Sequence, residues 1–193
     1  MLKIALCQLP VKADKRENLN QAASMVQEAA SAGAQLAVLP EMFTCPYDIH
    51  CFRDYAENIP SGETTNHLSA LARTHGLFLI GGSIPELVGE LLYNTSIVFD
   101  PKGEIIAKHR KAHLFDVCVK NRIEFTESQV LSAGNTTTMF ETPWGKFGLE
   151  ICDDSRLPEL TRKMPKEGAL LVIVPAAFNM TTGPAHWELL FRS

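Results

Sequence analysis

The sequence has no excess of positive charge, no long apolar run, no paired cysteines and no internal repeat. Each absence removes a class of function. Against 22 Asp and Glu stand only 18 Lys and Arg, a net charge of -4, so no basic footprint for nucleic acid is present. No stretch approaches the roughly 20 apolar residues of a membrane-spanning helix, and Met1–Leu6 runs straight into a strand pattern without a signal-peptide cleavage site. The five cysteines (Cys7, Cys45, Cys51, Cys118, Cys152) are odd in number, scattered and lack a C-x-x-C pair. They point to free thiols in a reducing cytoplasm. The Gly81-Gly82 pair lacks dinucleotide-fingerprint spacing. His109 and His113 have no acidic or thiol partner at fixed spacing, so no metal is expected.

What is present is a chain that is 46% hydrophobic and 21% charged, enough to bury a sizeable core. Leu2–Cys7 predicts a buried strand. Asp14 and Glu17 open a helix whose Leu19, Ala22, Ala23, Val26, Ala29 and Ala30 recur at helical spacing up to Gly33. Leu36–Leu39 is a second apolar run, and the β-α-β order predicts a parallel pair. Thr64 or Thr65 is the expected cap of a helix ending at Gly76, before a strand at 77–80. Two hairpins follow, around Asp100-Pro101-Lys102-Gly103 and Thr142-Pro143-Trp144-Gly145. Between them, the basic run from Lys108 to His113 predicts a mostly solvated face. Leu170–Val174 is a further apolar strand, and the last helix is expected from about Ala185 to an abrupt end at Ser193.

Two positions draw attention on chemical grounds. Glu41 follows an apolar strand directly, at the rim where α/β proteins place ligands. Cys152 ends the alternating strand Phe147–Ile151 and precedes Asp153, Asp154 and Ser155, which are helix-capping side chains. A thiol at such a turn is expected to be favoured as thiolate by the helix dipole. No G-x-C-x-G elbow is present, which excludes an α/β-hydrolase arrangement.

The ordered set Leu39-Pro40-Glu41, Arg110–Asp116, Phe125–Ser128 and Gly148–Arg156 resembles the nitrilase or carbon–nitrogen hydrolase superfamily over nearly the whole chain. The segment Ala177–Leu189 is similar to its ω-amidase branch. The resemblance implies an α/β fold of four layers, an α-β-β-α sandwich occupying residues 1–193, with its C-terminal part missing. It implies Glu41 as general base, Lys111 as the lysine at the transition state, Cys152 as nucleophile and Glu127 as a second glutamate that holds the lysine. Asp153, Phe178 and Tyr47 become candidates for substrate contact.

The implied reaction releases ammonia from a small ω-amide such as 2-oxoglutaramate, with no metal or organic cofactor. Other amides, such as deaminated glutathione or N-carbamoyl compounds, and a silent assembly subunit are the alternatives. The implied partner is a small-molecule amide, with neither nucleic acid nor membrane. A homodimer or larger homo-oligomer is expected for a complete form, and poor solubility for residues 1–193 alone. Glu150 and Asp153 stand where relatives often carry Gly and an aromatic. Asp153 is expected to raise the thiol pKa and to repel anionic substrates.

Overall fold

A computed structural model describes residues 1–120 and 123–192. Asn121, Arg122 and Ser193 lie outside the described residues, and with Ser193 the expected abrupt end of the chain's last helix.

The first strand β1 (Ile4–Leu6) leads through α1 (Lys15–Ser31) to β2 (Leu36–Val38), and the two strands pair in parallel. The Asp14 side chain caps α1 by accepting from the Arg16 and Glu17 N–H groups. A short helix α2 (Phe52–Tyr55) and then α3 (Glu63–His75) precede β3 (Phe78–Ile80), β4 (Ile84–Val88), β5 (Leu91–Phe99) and β6 (Ile105–Arg110). Six strands form one sheet in the order β1-β2-β3-β5-β4, with β6 also paired to β5. A small ribbon pairs β7 (Asp116–Val119) with β8 (Ile123–Thr126). The second main sheet is β11-β10-β9, from β9 (Thr138–Thr142), β10 (Gly145–Leu149) and β11 (Ala169–Ile173). Between β10 and β11 lie a 3-10 turn at Cys152–Arg156 and α4 (Pro158–Lys166). The helix α5 (Gly183–Arg192) comes last.

Alternation along the central strands assigns the layers. Ala37, Leu79, Ile97 and Phe99 pack with Leu19, Ala22 and Val26 of α1 and with Leu68 and Ala72 of α3. Their neighbours Leu36, Val38, Phe78, Ile80 and Val98 face the other way, onto Phe140, Phe147, Leu149 and Ile173 of the second sheet. On the far side of that sheet, Met164 of α4 is wholly buried above Gly148. A Cβ at Gly148 would meet the Met164 sulfur at 2.3 Å, so glycine there is what lets the helix settle. The result is the expected α-β-β-α sandwich. Both faces of β2 and β3 are apolar because both are covered, which is why they read as continuous hydrophobic runs.

Three local expectations are corrected. The strand β1 is not buried, for Leu6 is 75% exposed. Ile4 and Leu6 share a face with Leu36 and Val38 through their register, but β1 is the sheet edge and the narrower second sheet does not reach over it. Neither Thr64 nor Thr65 caps α3. The N-cap is Gly62, and the Glu57 carboxylate accepts from both the N–H and the hydroxyl of Thr64. The basic run is no solvated face. Lys108 and Arg110 both pair with the buried Glu86, and His109 is wholly buried.

Candidate active site

Glu41 leaves the end of β2 at the same rim at which Lys111 leaves β6 and Cys152 leaves β10. Their neighbours are held in strained backbone. Met42, next to Glu41, has φ 49° and Cys152 itself has φ 43°, in the left-handed region that costs a residue with a side chain about 1–3 kcal/mol. These are the positive-φ residues other than glycine among those described. The Met42 N–H donates to Ser83 Oγ at 3.0 Å, and the Ser83 N–H donates to the Pro40 carbonyl at 3.2 Å. Gly82, at φ 57°, permits this approach, since a Cβ there would lie 2.1 Å from the Pro40 oxygen. The Cys152 N–H donates to the Pro175 carbonyl at 2.9 Å, which ties its turn to the exit of β11.

Four polar side chains meet at this rim. Lys111 Nζ donates to Glu41 Oε1 at 2.9 Å and reaches Glu127 Oε2 at 3.0 Å, all three side chains being fully buried. Glu41 Oε1 also accepts from Asn94 Nδ2, and its Oε2 from the Ala177 N–H, each at 2.9 Å. Glu127 Oε2 accepts from the Phe115 N–H at 2.7 Å. The Tyr47 hydroxyl lies 2.9 Å from Glu41 Oε1, within hydrogen-bond reach of Glu127 Oε1, and 3.3 Å from Lys111 Nζ.

Burial works against the Lys111 ammonium, but Glu41 and Glu127 outweigh it and raise its pKa above the ordinary lysine range. Burial raises the Glu127 carboxyl, with Lys111 opposing and Glu41 reinforcing the rise. The Cys152 thiol is pushed well above its usual value by burial first and by the Glu41 charge second, against Lys111. The expected stabilisation of a thiolate by a helix dipole is therefore corrected. The turn is a five-residue 3-10 helix, and desolvation outweighs any dipole so short a turn can supply. At rest Cys152 is a thiol that needs a base.

The site opens into a cavity of about 330 Å³. Tyr47, Phe115, Phe125 and Phe178 form its apolar walls, and Cys152, Asp153 and Arg156 its polar ones. All three candidates for substrate contact (Asp153, Phe178 and Tyr47) thus line one space with Cys152. Asp153, however, does not act as a lone negative charge. Arg156 Nε donates to its Oδ1 at 2.5 Å, and Arg156 also reaches His186 Nδ1 at 2.9 Å and lies over the Phe178 ring. The raised thiol pKa is owed to burial and Glu41 in the first place rather than to Asp153. Glu150 points away from the cavity, accepting from Thr161 of α4. Among the described residues no group of three or more His, Cys, Asp or Glu is arranged to hold a metal.

Several contributors escape sequence reasoning. Asn94 sits with Thr95 and Ser96 in the middle of an apolar strand, and that polar interruption is the signal that could have found it. Asp154 reads as a helix cap, but its carboxylate collects His109 Nε2 and the Ile151, Ala112 and His113 N–H groups. Arg156 enters the sequence reading only as the last residue of the motif Gly148–Arg156.

The carbon–nitrogen hydrolase family matches residues 3–193. ω-Amidase NIT2 of Xenopus tropicalis is 51% identical to the chain over 191 residues, which are 99% of this chain and 69% of that one. ω-Amidase NIT2 of Homo sapiens is 48% identical over 191 residues, with the same coverage of 99% and 69%. Among solved structures, Saccharomyces cerevisiae Nit3, a member of branch 10 of the nitrilase superfamily, superposes with a TM-score of 0.89 at 41% identity, covering 99% of this chain and 70% of that one.

Proposed function

This chain belongs to the carbon–nitrogen hydrolase family, and from that premise we propose that it releases ammonia from a small ω-amide of a dicarboxylic acid through a Cys152 thioester. The observation that carries the reading is one small cavity lined by both Cys152 and Arg156, with the buried Glu41–Lys111 pair held behind its Tyr47 wall. An amide carbon is a poor electrophile, and the buried thiol must lose its proton as it attacks. Glu41 takes that proton, its own carboxylate being aimed by Asn94 and the Ala177 N–H. The tetrahedral oxyanion forms beside the Lys111 ammonium, whose positive charge stabilises it, and accepts from the Asp153 N–H. Collapse of the intermediate breaks the C–N bond, and Glu41 returns its proton to the departing ammonia. Water, deprotonated by Glu41, then adds to the thioester. The acid leaves and the proton returns to sulfur. Glu127 holds Lys111 in place throughout.

The other end of the substrate is assigned to Arg156. Two of its contacts use Asp153 and His186, and a guanidinium with five N–H donors has others for a carboxylate. Apolar walls suit a short methylene chain between the two ends. ω-Amidase NIT2 of Xenopus tropicalis and of Homo sapiens carry that activity in their names, in agreement with this assignment. A cytoplasmic location and pairing into homo-oligomers belong to the same proposal; of the described residues, no helix is long and apolar enough to cross a membrane.

An ammonia-release panel tests the function. Short ω-amides such as 2-oxoglutaramate are expected to turn over faster than nitriles, N-carbamoyl amino acids and deaminated glutathione. Activity confined to nitriles overturns the assignment, and no turnover of any amide returns the chain to the class of silent assembly subunits.

A further inference from the structure

Tyr47 is the one wall of the cavity whose polar end enters the charged cluster. Its ring packs edge-on against Phe52 at 5.8 Å and tilted against Phe125 at 5.6 Å, which fixes where the hydroxyl goes. That hydroxyl faces Glu41 after β2, Lys111 after β6, Glu127 after β8 and the Cys152 turn after β10.

Counting protons decides what the contacts mean. Lys111 supplies three N–H donors and finds acceptors on Glu41, on Glu127 and on the Tyr47 oxygen. The Tyr47 hydroxyl supplies one proton, yet its oxygen is in hydrogen-bond contact with Oε1 of both glutamates. With both carboxylates ionised, one of these contacts sets two acceptor oxygens against each other, and the buried cluster carries a net negative charge. One more proton removes both problems. Placed on Glu127, it donates to the Tyr47 oxygen, and the Tyr47 proton then points to Glu41. Burial, which raises the Glu127 carboxyl, and the carboxylates, which with burial keep the phenol protonated, favour the same arrangement.

We propose that Tyr47 is a positioning residue that bridges Glu41 and Glu127 through a shared proton and sets the basicity of Glu41. The inference rests on the amidohydrolase reading for its catalytic consequence. While Glu41 is ionised and waiting for the thiol proton, Tyr47 donates to it. When Glu41 has accepted that proton, its carbonyl oxygen still accepts from the Tyr47 hydroxyl, and the Glu127 proton stays on the bridge. The base thus keeps a matched partner in both of its protonation states, without a mobile water doing that task.

Tyr47→Phe tests this, because it retains the ring that touches Phe52 and Phe125 and deletes only the hydroxyl. A hydrogen bond to the charged form of an acid favours that form, so its loss moves the acidic limb of the kcat/KM profile to higher pH. The expected result is a fall in kcat of at least about tenfold at neutral pH, the same as one hydrogen bond's worth of about 1.4 kcal/mol, with KM little changed. The rate of Cys152 alkylation against pH, read by mass spectrometry, reports the same shift without turnover. A thermal melt within a few degrees of the parent protein separates this effect from misfolding, and the alkylation profile is read only below the melting point. An unchanged acidic limb in both profiles overturns the bridge, as does a loss expressed wholly in KM. If the parent protein turns over no amide, the proposed function fails, while the alkylation profile still decides for or against Tyr47.

Discussion

His109 Nε2 lies 2.9 Å from Asp154 Oδ2, and neither side chain meets solvent. An ionised carboxylate only accepts, so the imidazole proton sits on Nε2, and Nδ1 is left for the Thr138 hydroxyl at 3.0 Å. The same Asp154 carboxylate accepts from the Ala112 and His113 N–H groups just after Lys111, and from the Ile151 N–H just before Cys152. One aspartate therefore ties the segment carrying the lysine to the turn carrying the thiol.

Asp154→Ala is expected to destabilise the fold by about 3–5 kcal/mol, the usual cost of opening a buried, hydrogen-bonded pair on one side. Its pH dependence is set by the native carboxyl. Burial raises the Asp154 pKa, but the His109 bond and the backbone N–H groups overcome this and hold it below its ordinary 3.8. The folded state thus binds this proton less readily than the unfolded state. The stability it contributes is present above about pH 3.8 and is lost as pH falls through the lower native value. Denaturant melts of the parent protein and of Asp154→Asn should converge across that acid window and diverge above it.

Cys152→Ala and Glu41→Gln should each reduce ammonia release by at least about a thousandfold, and the double variant should be little worse than either single one. Residues that act as one unit do not contribute additively. Single-turnover and steady-state assays on all three variants check this. Substantial release by either single variant removes the assigned role.

Arg156→Gln is expected to raise KM about 10–100-fold for ω-amides that carry a free carboxylate, which is what about 1.5–3 kcal/mol of charged hydrogen bonding is worth. Uncharged amides of the same length should be affected far less. An equal loss for both kinds of substrate would mean that Arg156 serves only to hold Asp153 and His186.

Glu150→Gln should stabilise the protein increasingly as pH rises. Burial, with Asp154 reinforcing and Thr161 opposing, raises this carboxyl above its ordinary 4.5. The native state therefore favours the protonated acid, and the wild-type residue becomes a growing liability as pH climbs from about 4.5 to the raised native value, above which the gap stays constant. Gln has the shape of the protonated acid and keeps an acceptor for Thr161. Melting temperatures of the two proteins should agree near pH 4 and separate toward pH 8. A gap constant over that whole range would place the titrating group elsewhere.

Much of this protein is written locally. The apolar runs at Leu36–Leu39 and 77–80, the Asp14 cap and the two Pro-Gly turns depend on neighbouring residues, so spacing alone predicts the strands, α1 and both hairpins. Glu41 and Cys152 stand out as candidates at strand ends, whereas Lys111 and Glu127 become candidates only through the resemblance of Arg110–Asp116 and Phe125–Ser128 to the family. What a local pattern cannot carry is which strand lies at an edge. Leu6 reads as core and is 75% exposed, because β1 ends its sheet.

The electrostatic state of the site was likewise decided only by the tertiary structure. In sequence, Asp153 is a charge beside a nucleophile; in space it is matched by Arg156. The histidines of the basic run look like surface groups until β6 and the Cys152 turn bring them to Asp154. Cys152 looks like a helix-stabilised thiolate until burial and Glu41 hold its proton on. Charge energies depend on distance and on the exclusion of water, and both are set largely by contacts remote in the chain, such as Lys111 with Glu41 and Glu41 with Ala177, 70 and 136 positions apart. The sequence by itself therefore named the groups, and packing decided which of them carry a proton.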